Sequence, residues 1–243
     1  MKIGIIKYIN SIPLSYGLEK YGEIIRDTPR NLAEQFFDGK LDFSFIPAAE
    51  YLRMEDYCSL VDGVTISSFG TTDSVTLYFN GPLRQIKKVK LSNESRTSNF
   101  LVREILEQHY KIHAQYSESG YHDAEVIIGD KAMNLHHQHY ANKLDIGQAW
   151  LAMTGLPVVY AVCVAHTTTA ALQFSPLINK LTSYNLNHLK QILTSLNADR
   201  YRQYLKNLCY SFDLPHRKSL AYMSSLYRNR YATERSCQLV HCQ

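Results

Sequence analysis

KKVKLSNESRTSNFL, residues Lys87–Leu101, reads as a short strand that passes through a polar turn into a helix. Val89 and Leu91 alternate with polar neighbours as a half-buried strand requires, and Phe100, Leu101, Ile105 and Leu106 then recur at helical spacing. Between them stands Asn93-Glu94-Ser95-Arg96-Thr97-Ser98. Such a turn offers hydroxyls, a guanidinium and the unpaired N–H groups of a helix start, backed by the positive end of the helix dipole. That is a receptor for a carboxylate or phosphate. The same residues also suit a plain helix cap, with Ser95 or Thr97 accepting a backbone N–H.

The strand-to-helix step recurs upstream. Met1–Tyr8 is β-branched and strand-like, Ile9-Asn10-Ser11 turns, and Pro13 opens a helix predicted over Pro13–Lys20. Glu23–Arg26 and Leu41–Ile46 read as further strands, each followed by a helix, over Arg30–Phe37 and Ala48–Arg53. Three βα units in succession predict an α/β fold with parallel strands. A β-rich passage follows, with strands at Cys58–Val61, Val64–Ser68 and Ser74–Phe79. Downstream of the opening stretch come strands at Ala114–Ser117, Ala124–Ile128 (ending at Gly129-Asp130) and Val158–Ala165. Beyond Thr167 the periodicity is helical.

This order predicts two α/β lobes. One holds residues 1–78 plus 165–243, and the other is an inserted segment, 79–164. Ligands of open α/β sheets bind beyond the carboxyl ends of the strands, where every polar turn named above falls, so the cleft between the lobes is the predicted site.

Composition bounds the classes of function. The 243 residues are 45% hydrophobic and 20% charged, as in an ordinary globular protein, with no run as long as a membrane span. Met1–Leu14 reads as structured strand and turn, which leads to an expectation of a cytoplasmic protein that engages no membrane. Five cysteines, with no CxxC pair, predict reduced thiols. The net charge of +4 is uneven: Lys190–Arg235 holds nine Lys or Arg against three Asp or Glu. These charges alternate with Tyr201, Tyr204, Leu205 and Leu208, the pattern of a solvated amphipathic helix, and no nucleic-acid partner is expected. His136, His137 and His139, with His122, could in principle bind zinc, but no acidic or cysteine ligand stands beside the run, and no metal is expected.

Several fragments together carry a family resemblance. In order, they are Lys7-Tyr8-Ile9-Asn10-Ser11-Ile12-Pro13-Leu14, Gly39-Lys40-Leu41-Asp42 with Ile46-Pro47, Ile66-Ser67-Ser68 leading to Ser74-Val75, Ser95-Arg96-Thr97-Ser98, Ile128-Gly129-Asp130 and Thr154-Gly155-Leu156-Pro157. The chain resembles the menaquinone-biosynthesis family typified by the chorismate dehydratase of the futalosine route. The resemblance covers residues 1–165 well and the tail weakly. It implies a two-lobed, type II periplasmic-binding-protein-like fold. It also implies a lyase that removes water from chorismate to give 3-[(1-carboxyvinyl)oxy]benzoate, with no cofactor. By the same resemblance Asn10 and Ser74 face the reacting ring as the catalytic pair, and Ser95, Arg96, Thr97, Ser98, Gly129 and Asp130 form the substrate-binding set, with Thr97 and Ser98 the best candidates to hold a carboxylate and Arg96 either a ligand or a scaffold group. Phe69-Gly70-Thr71-Thr72-Asp73 departs from the family pattern, which has an acidic residue, glycine and proline after the paired serines. The sister enzyme acting on a cyclised futalosine derivative is a weaker match, because its Ser-Pro-Cys-Pro-Asn-type turn is replaced here by Asn10-Ser11-Ile12-Pro13. A non-catalytic sensor of small carboxylates is the reading from another class.

Overall fold

In the computed structural model, residues 1–134 and 140–238 are described. The first strand, β1 (Lys2–Ile6), is buried over Ile3–Ile6 and pairs in parallel with β2 (Glu23–Asp27) and β3 (Phe43–Pro47). Gly4 permits the close approach of β1 to β3, since a Cβ there would lie 2.4 Å from Ser44 Oγ. Helices α1 (Ile12–Ser15), α2 (Pro29–Phe37) and α3 (Ala48–Met54) follow the three strands in turn. Thr28 caps α2 by accepting from Asn31 N–H, and Pro29 fills its first turn. The helix predicted over Pro13–Lys20 is interrupted: the chain leaves helical geometry at Tyr16, Gly17 takes φ +78°, and only a 3₁₀ turn, Leu18–Lys20, follows.

The long strand β4 (Ser59–Ser68) replaces the two short strands predicted on either side of Gly63, which takes φ +88° within it. The chain then enters a second sheet through β5 (Val75–Phe79), β6 (Lys88–Lys90), helix α4 (Arg96–Glu104), β7 (Gln115–Ser117), β8 (Ala124–Ile128), α5 (Gly129–Asn134), β9 (Asn142–Asp145) and α6 (Ile146–Thr154). Its strand order is β7-β6-β8-β5-β9. The π-helical turn Ile105–His109 continues α4. β9 was not foreseen, because Asn142-Lys143-Leu144-Asp145 offers a single apolar residue and no strand period.

The chain returns through β10 (Val158–Ala165), which lies antiparallel between β3 and β4. Helices α7 (Thr168–Asn187), α8 (Leu189–Ser195) and α9 (Arg202–Lys206) lead to β11 (Leu208–Phe212) and α10 (Leu214–Gln238), which kinks at Tyr231. The first sheet therefore runs β11-β4-β10-β3-β1-β2. β11 corrects the expectation of a wholly helical tail: Leu208, Tyr210 and Phe212 are buried while Cys209 and Ser211 alternate with them. The sequence expectation put the exchange between lobes at residues 78/79 and 164/165. All of β5 lies in the second sheet and all of β10 in the first, so the exchanges fall in residues 69–74 and 155–157. The apolar run of β10, almost wholly buried, accounts for its central place.

The tail is tied to the body. Trp150 Nε1 donates to Ser219 Oγ at 3.2 Å, and Met223 is fully buried. Three of the nine basic residues of Lys190–Arg235 are ion-paired to the body: Arg217 to Asp62, Arg228 to Glu55, and Arg230 to both Glu104 and Glu107. No helix among the described residues is long and apolar enough to cross a membrane.

Burial raises the pKa of Glu104, and Arg230 opposes that rise. A carboxyl raised in the fold contributes stability below its unfolded pKa and loses it as pH rises through the folded value. Removing the opposing cation steepens that loss. Arg230→Ala should cost about 3 kcal/mol at pH 7, and less at pH 4, as read by urea unfolding. An equal deficit at both pH values would contradict the burial argument.

Candidate active site

The facing loops of the two sheets enclose a narrow cleft. Ile6, Tyr8, Asn10, Ile66, Tyr160, Ala161 and Leu208 line it from the first sheet and its connections, and Ser74, Val75, Ser95, Ser98, Ile128 and Gly129 from the second. Its volume is ≈ 40 Å³, room for a water or two and well below the roughly 300 Å³ of small ligand pockets. The lining holds no carboxylate, imidazole, ammonium or guanidinium; its polar groups are an amide, hydroxyls and backbone.

Asn10 sits in the 3₁₀ turn Ile9–Ser11 after β1. Ser11 fixes this turn by donating its hydroxyl to Ile6 O and Tyr8 O, and Tyr210 OH donates to the carbonyl of Asn10 at 2.8 Å. The side-chain Oδ1 of Asn10 is fully enclosed and has no hydrogen-bond partner. Ser74 stands just before β5, its hydroxyl 3.2 Å from Thr72 Oγ1 and its carbonyl accepting from Gly129 N–H at 2.8 Å. The stretch that departs from the family pattern is held from beneath: the Asp145 carboxylate accepts from Thr72 N–H and Asp73 N–H as well as from Gln148 N–H, capping α6. Phe69 is exposed and lies outside the lining.

The Ser95–Ser98 turn divides its residues between two faces. Ser95 caps α4 by accepting from Ser98 N–H, and both hydroxyls border the cleft, 3.2 Å apart. Thr97 and Arg96 do not. Thr97 is fully buried and accepts from Ala49 N–H at 3.0 Å, holding the start of α3. Arg96 pairs with the buried Glu50 and borders a separate cavity of ≈ 260 Å³ with Arg53, Arg103 and Asn99. The reason is helical geometry: consecutive residues of a helix diverge by about 100°, so 95 and 98 share a face that 96 and 97 cannot.

Four contacts clasp the cleft. Tyr8 OH donates to Glu94 at 2.7 Å, Lys7 pairs with the same carboxylate at 3.6 Å, Arg30 N–H donates to Glu94 O at 3.0 Å, and Ile9 N–H donates to Asp130 Oδ1 at 3.2 Å. Asp130 thus serves as a latch at the rim. Burial raises its pKa, and the Ile9 N–H opposes the rise. Burial, followed by the Glu94 hydrogen bond, pushes the Tyr8 phenol well up.

The tyrosines Tyr8, Tyr160, Tyr204 and Tyr210 were not singled out as site residues from the sequence. Tyr204 was read as part of an apolar stripe, yet its hydroxyl lies beside Ser74 and Asn10 with no hydrogen bond of proper geometry. Tyr160 OH lies 3.2 Å from Ser68 Oγ. His122 makes a ring-nitrogen contact with Gly120 O; His136, His137 and His139 lie outside the described residues.

A family model described as menaquinone biosynthesis matches residues 1–229. The chain belongs to this family. A chorismate dehydratase of Thermus thermophilus is 24% identical over 187 residues, covering 66% of this chain and 68% of that protein. Another, from Campylobacter jejuni, is 28% identical over 174 residues, covering 66% of each. Among solved structures, protein AF1704 from Archaeoglobus fulgidus superposes with TM-score 0.72 at 10% identity, over 94% of this chain and 97% of that one. The periplasmic aliphatic sulphonate binding protein SsuA of Escherichia coli gives 0.62 at 14% identity, over 97% and 92%. The fold of this menaquinone-biosynthesis family member is therefore the two-lobed periplasmic-binding-protein type.

Gly129 joins the site to the clasp. It takes φ +65°, and a Cβ there would lie 2.9 Å from ring carbons of Tyr8. Gly129→Ala should displace Tyr8 from Glu94 and cost about 1 kcal/mol or more through backbone strain alone. A melting temperature equal to wild type would contradict the placement of Tyr8 against this glycine.

Proposed function

We propose that this protein is a chorismate dehydratase, a hydro-lyase forming 3-[(1-carboxyvinyl)oxy]benzoate and water. The observation that carries the reading is the lining of the cleft: neutral hydrogen-bonding groups gathered around Asn10 and Ser74, beside the N-terminus of α4. The relatives named for this activity support it.

The chemistry suits such a site. Deprotonation of the ring carbon bearing the enolpyruvyl ether is eased because that hydrogen is allylic and vinylogous to the ring carboxylate. Its C–H electron pair becomes ring π density, the neighbouring C–O bond breaks toward the hydroxyl oxygen, and the ring becomes aromatic. The substrate's enolpyruvyl carboxylate takes the proton and passes it to the departing hydroxide, which leaves as water. The protein then needs to place a dianion rather than supply a strong base. Neither an amide nor a serine hydroxyl ionises near neutrality.

In this reading the Ser95 and Ser98 hydroxyls and the positive end of α4 hold a carboxylate, while Asn10 and Ser74 position the ring and its leaving hydroxyl. Thr97 and Arg96 act behind this face, as the clamp on α3 and the partner of Glu50. Gly129 and Asp130 shape and latch the rim. The small cleft volume means that the clasp at Glu94 and Asp130 opens for entry. Cys58, Cys163 and Cys209 are unpaired, which supports a reducing, cytoplasmic setting. No metal, nucleic-acid or membrane partner enters the proposal.

The test is incubation of purified protein with chorismate, with product followed by chromatography and mass. Enzyme-dependent formation of the enolpyruvyl benzoate is expected. Asn10→Ala and Ser74→Ala should each lower kcat by about 100-fold. Saturable binding without turnover would replace the dehydratase with a carboxylate sensor, and neither binding nor turnover would end the proposal.

A further inference from the structure

We infer that the arginine-lined cavity behind the α4 turn is a second ligand site, which takes a phosphate monoester with a small aromatic body. The cavity measures ≈ 260 Å³, close to the roughly 300 Å³ at which small-ligand pockets begin. Arg53 of α3 and Arg96 and Arg103 of α4 border it. The protein sets these guanidiniums in place by other atoms than those a ligand needs. The buried Glu50 carboxylate gives one oxygen to each of two of them, Oε2 to Arg53 Nε at 2.9 Å and Oε1 to Arg96 Nε. Arg103 is placed over the ring of Tyr116, its Cζ 4.6 Å from the centroid. The terminal nitrogens of all three have no acceptor among the described residues. A guanidinium anchored through Nε or by stacking keeps those terminal groups as donors in a fixed fork, the geometry that phosphate and carboxylate oxygens match.

Charge selects the ligand class. Three guanidiniums against the one Glu50 carboxylate leave a surplus of two positive charges. Glu118, also in the lining, pairs with Arg30 at 3.3 Å and cancels with it, and Glu104 and Glu107 are held by Arg230 and do not border the cavity. A phosphate monoester carries about −1.5 to −2 at pH 7 on a single group with three acceptor oxygens, whereas a dicarboxylate divides the same charge between two groups. The Asn99 amide is engaged at both ends by the main chain of Ser92, so recognition of the anion falls to the guanidiniums. Phe100, Tyr227 and Tyr231 border the same cavity, with ring centroids 5.7 Å apart for the first pair and 4.6 Å for the second, and offer an aromatic wall to the ester's body. The inference rests on this cavity alone and is independent of the dehydratase reading, whose cleft has no charged group in its lining.

The test is calorimetric titration of the full chain with phenyl phosphate and, in a parallel arm, with isophthalate, a dicarboxylate on the same ring. Phenyl phosphate should bind saturably at one site per chain, more tightly than isophthalate. Arg53→Ala and Arg103→Ala should each weaken it by about 10-fold or more, the worth of a hydrogen bond to a charged group, while Asn10→Ala, which alters the cleft, should leave its affinity unchanged. Arg103→Gln, which keeps the stem over Tyr116 and removes the charge, repeats the measurement should Arg103→Ala fold poorly. A crystal of the wild type soaked in phenyl phosphate should show the phosphate against Arg53, Arg96 and Arg103. Absence of saturable binding, tighter binding of isophthalate, an affinity untouched by the arginine substitutions, or loss of binding in Asn10→Ala would each overturn the inference. Chorismate turnover is read in a separate assay, so either result there leaves this one to be decided by the titration.

Discussion

The N-terminal turn of α4 is the point on which the two halves of the molecule bear. Its three inward residues are spent on different tasks within one helical turn: Ser95 and Ser98 border the cleft, and Thr97 accepts from the first turn of α3 in the other sheet's layer. Because Thr97 is fully buried and its partner is a main-chain N–H, this contact cannot slide without leaving a polar group unpaired in the interior. The cleft is thus assembled against a fixed reference. The Glu94 clasp just upstream joins the same turn to Tyr8, Lys7 and Arg30 of the first lobe.

The site itself is notable for what kind of polarity it contains. Charged groups are plentiful nearby, but they are engaged elsewhere: Arg96 and Arg53 with Glu50, Asp145 with the Thr72-Asp73 main chain, Asp130 with Ile9. What reaches the cavity is an amide and a set of hydroxyls. Such groups orient a charged substrate without competing to protonate it, consistent with a reaction driven by aromatisation and by a carboxylate the substrate brings with it.

Much of this was readable in the residues. The βα repeats before Tyr57 announced the parallel β2-β1-β3 core, and the polar turns at Asn10, Ser74, Ser95–Ser98 and Gly129 meet at one cleft. Two kinds of information were not readable. Arg96 and Thr97 sit in the same motif as Ser95 and Ser98, and only the helix phase, fixed by how α4 packs, separates them. The tail was the other case. Leu208–Phe212 alternates with a strand's two-residue period over only five residues, but Tyr204, Leu205 and Leu208 also fit a helical stripe, and only the open edge of β4 decides in favour of a strand. The phenol of Tyr204 was hidden for the same reason, since an apolar stripe does not reveal where its one polar atom points.

The most direct measurement is a crystal structure of the protein with 3-[(1-carboxyvinyl)oxy]benzoate bound. The account predicts the product between the lobes, with a carboxylate on the Ser95 and Ser98 hydroxyls and the ring against Asn10 and Ser74. Product seated instead in the cavity of Arg53, Arg96 and Arg103, with the cleft unchanged, would contradict it.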